Sequence, residues 1–463
     1  MTDLLRILTS GAASLAAQTA ATATASHNLE NAATPGYARQ RVALEATLPA
    51  ERVGNAYIGR GAILGTVTQA RDRFLEAQLP AAYGQAARSS AGAETLEAVH
   101  ALDPETPGGL GDALSGFYSA LRQLSQNGSD PGLRQAAVGA ARSLALAFNR
   151  TRQGLEDART GVDAKVAGSV SEVNELARSV ASLNRDIRAA RAGGSGEPND
   201  LLDARQKAVD RLAELTGASP VPTSEGDVSL FLPGGAALVT SMTASSLAAA
   251  ADPANGGHLA LQLSVGGAAV SAAPGGQLGG LLDARDGALR EAVNGIDQLA
   301  YDLAGAVNAA HGAGVDLDGN PGLALFDPVG AAGGAAARIA VNGSISANAR
   351  LLAAASAGGG AGDARNALAL IATETQALSG GLDATGALAQ VTSAFGASAS
   401  RLAAAAEMDA ALRGNLESMR ESYSGVSIDE ELIEMQKAQR AYQAITKVIQ
   451  TSSEMFDTLL QLK

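Results

Sequence analysis

The sequence predicts a mainly α fold with small β parts, and three observations lead there. Of its 463 residues 46% are hydrophobic but only 3% are aromatic, with no Trp and no Cys. Ala, Leu and Val must therefore fill the core, and Ala and Leu are strong helix formers. Apolar residues recur every three or four positions over long stretches, as on one face of a helix. Both ends of the chain carry rows of residues spaced by seven, the pattern of helices that pair. The expected architecture is a discontinuous, coiled-coil-like terminal helical domain (1–70 with 401–463), a long-helix middle domain (71–217 and 281–400) and a small β insert (218–280).

The first 33 residues read as one helix. Leu8, Leu15, Thr22 and Leu29 stand seven apart, with Leu4, Gly11, Gln18 and Ala25 as a companion row. Thr34-Pro35-Gly36 should end it, because proline disfavours the helical region for the residue before it and glycine accepts positive φ. From Tyr37 to about residue 68, extended runs among Gly54, Gly59, Gly61 and Gly65 predict a loose β-hairpin. Helix returns near Gln69 and dominates to about residue 216, punctuated by Pro104, Pro107 and Pro131; Val166, Val170, Val173, Leu176, Val180, Leu183 and Ile187 mark one long amphipathic helix.

Pro220, Pro222 and Pro233 then flank short runs, Val228-Ser229-Leu230-Phe231-Leu232 and the alternating Leu259-Ala260-Leu261-Gln262-Leu263, which predict strands. Residues 281–311 are helical again. The segment 312–362 is rich in Gly and Ala with little periodicity and predicts loops with two short strands. Helices resume from Ala364. Leu402, Met408, Leu412, Leu416, Met419 and Tyr423 mark one helix, ended at Ser424-Gly425. The last opens on a capping box, Ser427-Ile428-Asp429-Glu430, with acidic residues at the positive end of its dipole. In it Ile428, Met435, Tyr442, Ile449 and Phe456 stand seven apart, beside Leu432, Gln439, Thr446, Ser453 and Leu460. A terminal helix of this kind cannot stand alone in water. The two ends should pair with each other or with other copies, so these rows are the expected subunit interface, together with Pro35, Gly36 and Tyr37. The pentapeptide Leu201-Leu202-Asp203-Ala204-Arg205 recurs as Leu281-Leu282-Asp283-Ala284-Arg285, each opening a helix.

Composition and motifs exclude most chemistry. Without Cys there is no disulfide framework and no thiol catalysis. A net charge of −13 argues against nucleic acid, whose binding needs a positive face. The basic stretch Arg39, Arg41, Arg52, Arg60, Arg71 and Arg73 is interrupted by acids and reads as a solvated or subunit-contacting face. No apolar run reaches the roughly 20 residues a bilayer requires. Asp3 and Arg6 argue against a secretory signal at the N-terminus. His27, His100, His258 and His311 are scattered. Asp316, Asp318, Asn320 and Asp327 match four positions of a calcium loop, but Pro321 and Asp327 replace its essential Gly and Glu, so a polar turn is expected. No catalytic, cofactor or metal residue is assigned.

Ser26-His27-Asn28-Leu29-Glu30-Asn31-Ala32-Ala33-Thr34-Pro35-Gly36-Tyr37 resembles the N-terminal signature of bacterial flagellar axial proteins, the rod, hook and hook-associated proteins. Asp429-Glu430-Glu431-Leu432, Ala438-Gln439-Arg440-Ala441-Tyr442-Gln443-Ala444 and Lys447-Val448-Ile449-Gln450-Thr451 are similar to its C-terminal half. Departures are His27, where the family usually has Asn, and Glu30, where a small residue is common. Asn199-Asp200 with the first pentapeptide, Gly279-Gly280 with the second, and Leu303 to His311 continuing into Gly314 to Asn320 resemble the hook–filament junction members. The alternative is a hook or distal rod protein.

The resemblance implies a structural, non-enzymatic subunit that self-assembles into a ring between hook and filament, its terminal helices lining the tube. It implies as partners the hook protein, the second junction protein (hook-associated protein 3), a flagellar export chaperone and the type III export apparatus, with no nucleic acid and no membrane insertion. It places the protein outside the cell, exported without a cleaved signal. The segment after Asn320 is short, so most outer-domain insertions of relatives are expected to be missing.

Overall fold

The computed structural model describes residues 2–34, 36–47, 51–53, 56–58, 61–103, 106–194, 196–360 and 362–461. Pro35, Gly54, Gly59, Arg60 and Pro104 lie outside the described residues. The fold is mainly α with small sheets.

Helix α1 (Thr2–Glu30) ends in a turn where Gly36 has φ +81°. The chain then runs out as β1 (Gln40–Ala46), a short ribbon of β2 (Glu51–Val53) and β3 (Ala56–Ile58), and back as β4 (Ala62–Gln69), antiparallel to β1 with a bulge between Val42 and Leu44. Helix α2 (Arg73–Glu97) starts at Asp72, whose carboxylate accepts from the N–H groups of Phe74 and Leu75. After α3 (Leu110–Gln126) comes α4 (Pro131–Ala192), 62 residues with Pro131 at its first position and Asp130 accepting from the Leu133 N–H. Such a helix is about 90 Å long. Helix α5 (Asn199–Thr216) ends on Gly217 at φ +66°, a left-handed cap.

Seven short strands follow in two antiparallel sheets. The first holds β5 (Ser219–Pro222), β6 (Val228–Phe231), β7 (Ala237–Thr240) and β8 (Thr243–Ala244) in sequence order. The second places β10 (Leu259–Val265) between β9 (Ser246–Ala251) and β11 (Ala268–Ser271). Helix α6 (Gly276–Ala284) continues through one π turn at residues 285–289 into α7 (Arg290–Gly312). Then come β12 (Gly314–Val315), the short helices α8 (Ala335–Arg338) and α9 (Gly343–Ala347), β13 (Ala355–Ser356) paired with β12, and α10 (Arg365–Ala372). Helices α11 (Ala384–Ser424) and α12 (Ile428–Gln461) complete the chain.

Two apolar cores lie along α4. Phe117, Leu121, Phe148 and Leu155 meet Ile296, Leu303 and Phe326 in the first. Val166, Val173 and Val180 share the second with Leu212, Leu230, Leu263 and Leu281, and the small sheets pack directly on the far half of α4. The repeated pentapeptides fasten this second core in matching ways. Asp203 pairs with Arg71, and Asp283 with Arg88. Arg205 donates to Asn184 Oδ1 on α4 and to the Gly226 carbonyl, while Arg285 donates to Asp163 on α4 and to the Leu259 carbonyl. Asn184 and Asp163 in turn accept from the first N–H of β6 and of β10.

The two ends of the chain meet. α1 packs along α12, and α11 along α2. The two helices come close at Gly11, where a Cβ would come within 2.8 Å of Ile449. Of the expected companion row on α1, Gly11 meets Ile449 and Ala25 is buried; elsewhere the inward rows differ from the sequence reading. On α1 the deepest residues are Ala17, Ala25 and Asn28, with Leu8, Leu15 and Leu29 half-buried beside them. On α12 the inner companion row is Glu431, Ala438, Ile445 and Ser452, one position before the expected Leu432, Gln439, Thr446 and Ser453. The reason is steric: alanines let two helix backbones approach, and bulkier side chains are turned to the flanks.

Candidate assembly junction

Where α1 ends and α12 begins, a buried polar cluster ties four segments together. Asn28 is 1% exposed. Its amide donates to the Gln40 carbonyl (2.8 Å) and to Glu431 Oε2 (3.0 Å), and its Oδ1 accepts from the Tyr37 hydroxyl (2.8 Å) and the Gln40 N–H (2.9 Å). All four hydrogen-bonding positions of this asparagine are filled, which fixes its orientation. Arg39 donates from Nε to Glu431 Oε1 (2.5 Å) and from Nη1 to Glu430 Oε2 (2.6 Å), and its backbone N–H donates to the Ser424 carbonyl (2.9 Å). Burial alone would depress the Arg39 guanidinium, but Glu430 and Glu431 outweigh it and hold its pKa above the ordinary value. Burial, then the nearby carboxylates of Asp203, Asp200 and Glu431, raise the Tyr37 phenol well above its usual range, so it stays a neutral donor.

A second tier connects this cluster to the long helices. Asn199, at the start of α5, donates to Gln40 Oε1 (3.3 Å) and to the Val67 carbonyl (3.2 Å), and accepts at its own carbonyl from Gln69 (3.0 Å). Arg71 bridges Asp203 on α5 and Glu76 on α2. Asp210, further along α5, is held largely by burial at a pKa raised to about 6, although Gln206 and Arg420 of α11 favour its charge.

Outward from this junction the apolar side chains are uncovered. Met408, Leu412, Met419 and Tyr423 of α11 are exposed, as are Leu5 and Ile7 of α1. Of the residues expected at a subunit interface, Ile428, Leu432, Tyr442 and Leu460 are also exposed, and Leu8, Leu15, Leu29, Met435, Ile449 and Phe456 are half-buried. Tyr37 lies inside the polar cluster and Gly36 at its edge, with open space where a Cβ would be. Asn28, Arg39, Gln40 and Glu431 are the residues sequence reasoning passed over. Glu431 and Asn28 stand in the two halves of the family signature, but only the helix dipole gives Glu431 a physical role in the sequence, and the signal at Asn28 is a polar residue three positions after Ala25 on the inner row of α1.

Two other polar groups noted in the sequence, Asp316 and His311, are held by hydrogen bonds. Asp316 Oδ1 accepts from the N–H groups of Asp318 and Asn320, which closes the expected polar turn. His311 is fully buried between the Leu323 carbonyl and the Ala353 N–H. Among the described residues no three His, Cys, Asp or Glu side chains are placed to hold a metal ion, and no helix is long and apolar enough to cross a membrane.

Comparison with known proteins fits this architecture. Residues 96–326 match the family described as flagellar hook-associated protein FlgK helical domain, and residues 420–462 match the flagellar basal body rod FlgEFG protein C-terminal family. Flagellar hook-associated protein 1 of Salmonella typhimurium is 32% identical over 332 residues, which cover 70% of this chain and 59% of that protein. Its counterpart in Bacillus subtilis is 29% identical over 99% of this chain and 98% of its own length. The solved flagellar hook junction protein FlgK from Burkholderia pseudomallei has the same fold, with a TM-score of 0.68 at 21% identity over 76% of this chain and all of its own. Paired terminal helices around a long-helix middle, matched by rod and hook-associated families, define the class of flagellar axial proteins. Within that class the chain belongs to the flagellar hook-associated protein 1 (FlgK) family. The matched part spans 59% of the length of the Salmonella relative.

Proposed function

We propose that this chain is a structural, non-enzymatic subunit of the bacterial flagellum that self-assembles at the junction between hook and filament. The observation that carries the reading is the terminal helix pair: clamped inside by Asn28, Arg39 and Glu431, it leaves Ile428, Leu432, Tyr442 and Leu460 uncovered. Exposed apolar side chains repeated along paired helices are surfaces for further copies. Residues 1–70 with 401–463 act as the tube-forming unit, and the remaining segments project from it. Leu8, Leu15, Leu29, Met435, Ile449 and Phe456 hold the helix pair, while the uncovered residues meet neighbours. Gly36, at positive φ, sets the turn that brings Tyr37 under α1.

The partners are those the family resemblance implies: the hook protein on one side and hook-associated protein 3 on the other. The exposed face of α12 suits the groove of an export chaperone before passage through the type III apparatus, and the site of action is extracellular. Electron microscopy of cells lacking this gene tests the reading. Hooks of normal length without filaments, restored by the full chain but not by one lacking residues 428–463, are expected. Missing hooks would move the protein to the hook or rod, and unchanged flagella would reject the reading.

A further inference from the structure

A cleft of about 620 Å³ opens between the first turn of α3, the middle of α4 and the start of α11. Its volume is that of a ligand site. Leu102, Leu110, Leu114, Ala147 and Leu388 make an apolar floor. Two independent features supply hydrogen-bond donors above it. The first is the N-terminus of α3. Its cap residue is Gly109, which has no side chain to offer, and Gly108 precedes it at φ +71°. Ala113 is the first residue whose N–H finds a carbonyl of this turn, that of Gly109 at 3.0 Å. The amides of Leu110, Gly111 and Asp112, all on the cleft wall, have no helix carbonyl to bind.

The second is Thr151 on α4. It lines the cleft, is 7% exposed, and its hydroxyl has no hydrogen-bond partner among the described residues. Threonines inside helices ordinarily bond back to the carbonyl four residues earlier. Thr95, Thr216 and Thr392 of this chain do so. Thr151 does not, so its hydroxyl is free to donate into the cleft. Arg150 and His100 stand at the rim. The acids there are Asp103 and Asp112, and the Asp112 carboxylate already accepts the Gly108 N–H at 2.9 Å.

We propose that this cleft captures the C-terminal end of a partner polypeptide that finishes in an aliphatic residue. The terminal carboxylate accepts from the first turn of α3 and from Thr151, the last side chain fills the leucine floor, and the preceding peptide groups pair with the rim hydroxyls of Ser115, Thr385 and Ser393. The unbonded amides of the helix N-terminus favour an anion, and Arg150 stands beside them to offset the rim acids Asp103 and Asp112. An apolar floor under it selects an aliphatic chain over a bare anion. The hydroxyl rim favours a peptide over a free aliphatic acid, which has no further amide groups to pair.

Calorimetric titration of the full chain with acetyl-Ala-Ser-Ala-Leu tests this. One saturable site per chain is expected, with the C-terminal amide of the same peptide at least about tenfold weaker, because it lacks the charge. Thr151→Val should weaken binding about fivefold to tenfold without changing the unfolding temperature. Ser393→Trp, on the exposed face of α11 at the mouth, should abolish it. Absence of saturable binding, equal affinity for acid and amide, or binding indifferent to both variants would overturn the proposal. Tight binding of 4-methylpentanoate, equal to that of the peptide, would overturn the choice of a polypeptide.

Discussion

Asn28 shows how one polar side chain can decide a junction. Alanine there would leave Glu431 Oε2 and the Gln40 N–H and carbonyl without their Asn28 partner in a buried site, each at about 1–3 kcal/mol, while Arg39 still holds Glu431 Oε1 and His27 still meets the Tyr37 hydroxyl. Asn28→Ala should therefore abolish hydrogen-exchange protection in α1 and the first turns of α12, with the amides of α3 and the first half of α4 unchanged; equal protection in both proteins would remove Asn28 from this role. Asp210 makes the opposite kind of prediction. Its native pKa of about 6 lies above the ordinary carboxylate value, so the native state keeps a proton that the unfolded state has released. Stability then falls as pH rises from about 4 to about 6, by about 1–3 kcal/mol in all. Asp210→Asn should raise the unfolding temperature at pH 7, and the gain should vanish near pH 4. A constant gain across that range would contradict the assignment.

At the scale of elements, helix crossings rest on glycines that no periodicity reveals. Gly280 of α6 lies directly against the Arg88 carbonyl of α2, where a Cβ would overlap the backbone. Gly287, in the π turn after it, faces open space. Gly280→Ala should destabilise the protein by at least about 1–3 kcal/mol, as overpacking does. Gly287→Ala should be neutral or slightly stabilising. Denaturant titration of both reads the difference, and similar midpoints would mean that the α2–α6 crossing is looser than described. The same scale explains the repeated pentapeptide. Its leucines and its Asp and Arg are visible as a repeat, but that each Asp clasps an arginine of the α2 segment and each Arg a strand entry is a property of packing.

For the whole molecule, both large cores lie between residues 91 and 395, outside the terminal helices. Removing residues 428–463 should therefore abolish the helix signal of α12 and the pairing of α1 while leaving the main thermal transition within about 2 °C, since the deleted segment contributes nothing to either core. Loss of the main transition would show that the ends stabilise the middle.

The sequence alone determined the helical class, the far half of the long α4, the small sheets of residues 218–280 and the seven-residue rows at the two ends. It could do so because periodicity and glycine or proline breaks are local, and the backbone obeys them locally. Only the tertiary structure decided which face of each terminal helix turns inward. A heptad row and its neighbour one position away differ by a rotation that alanine packing and the Asn28–Glu431 bond select. It also decided that Arg39, two residues after the turn, reaches across 392 positions of chain to Glu431. Burial creates those contacts, because only the assembled fold removes the water that would otherwise satisfy each group separately.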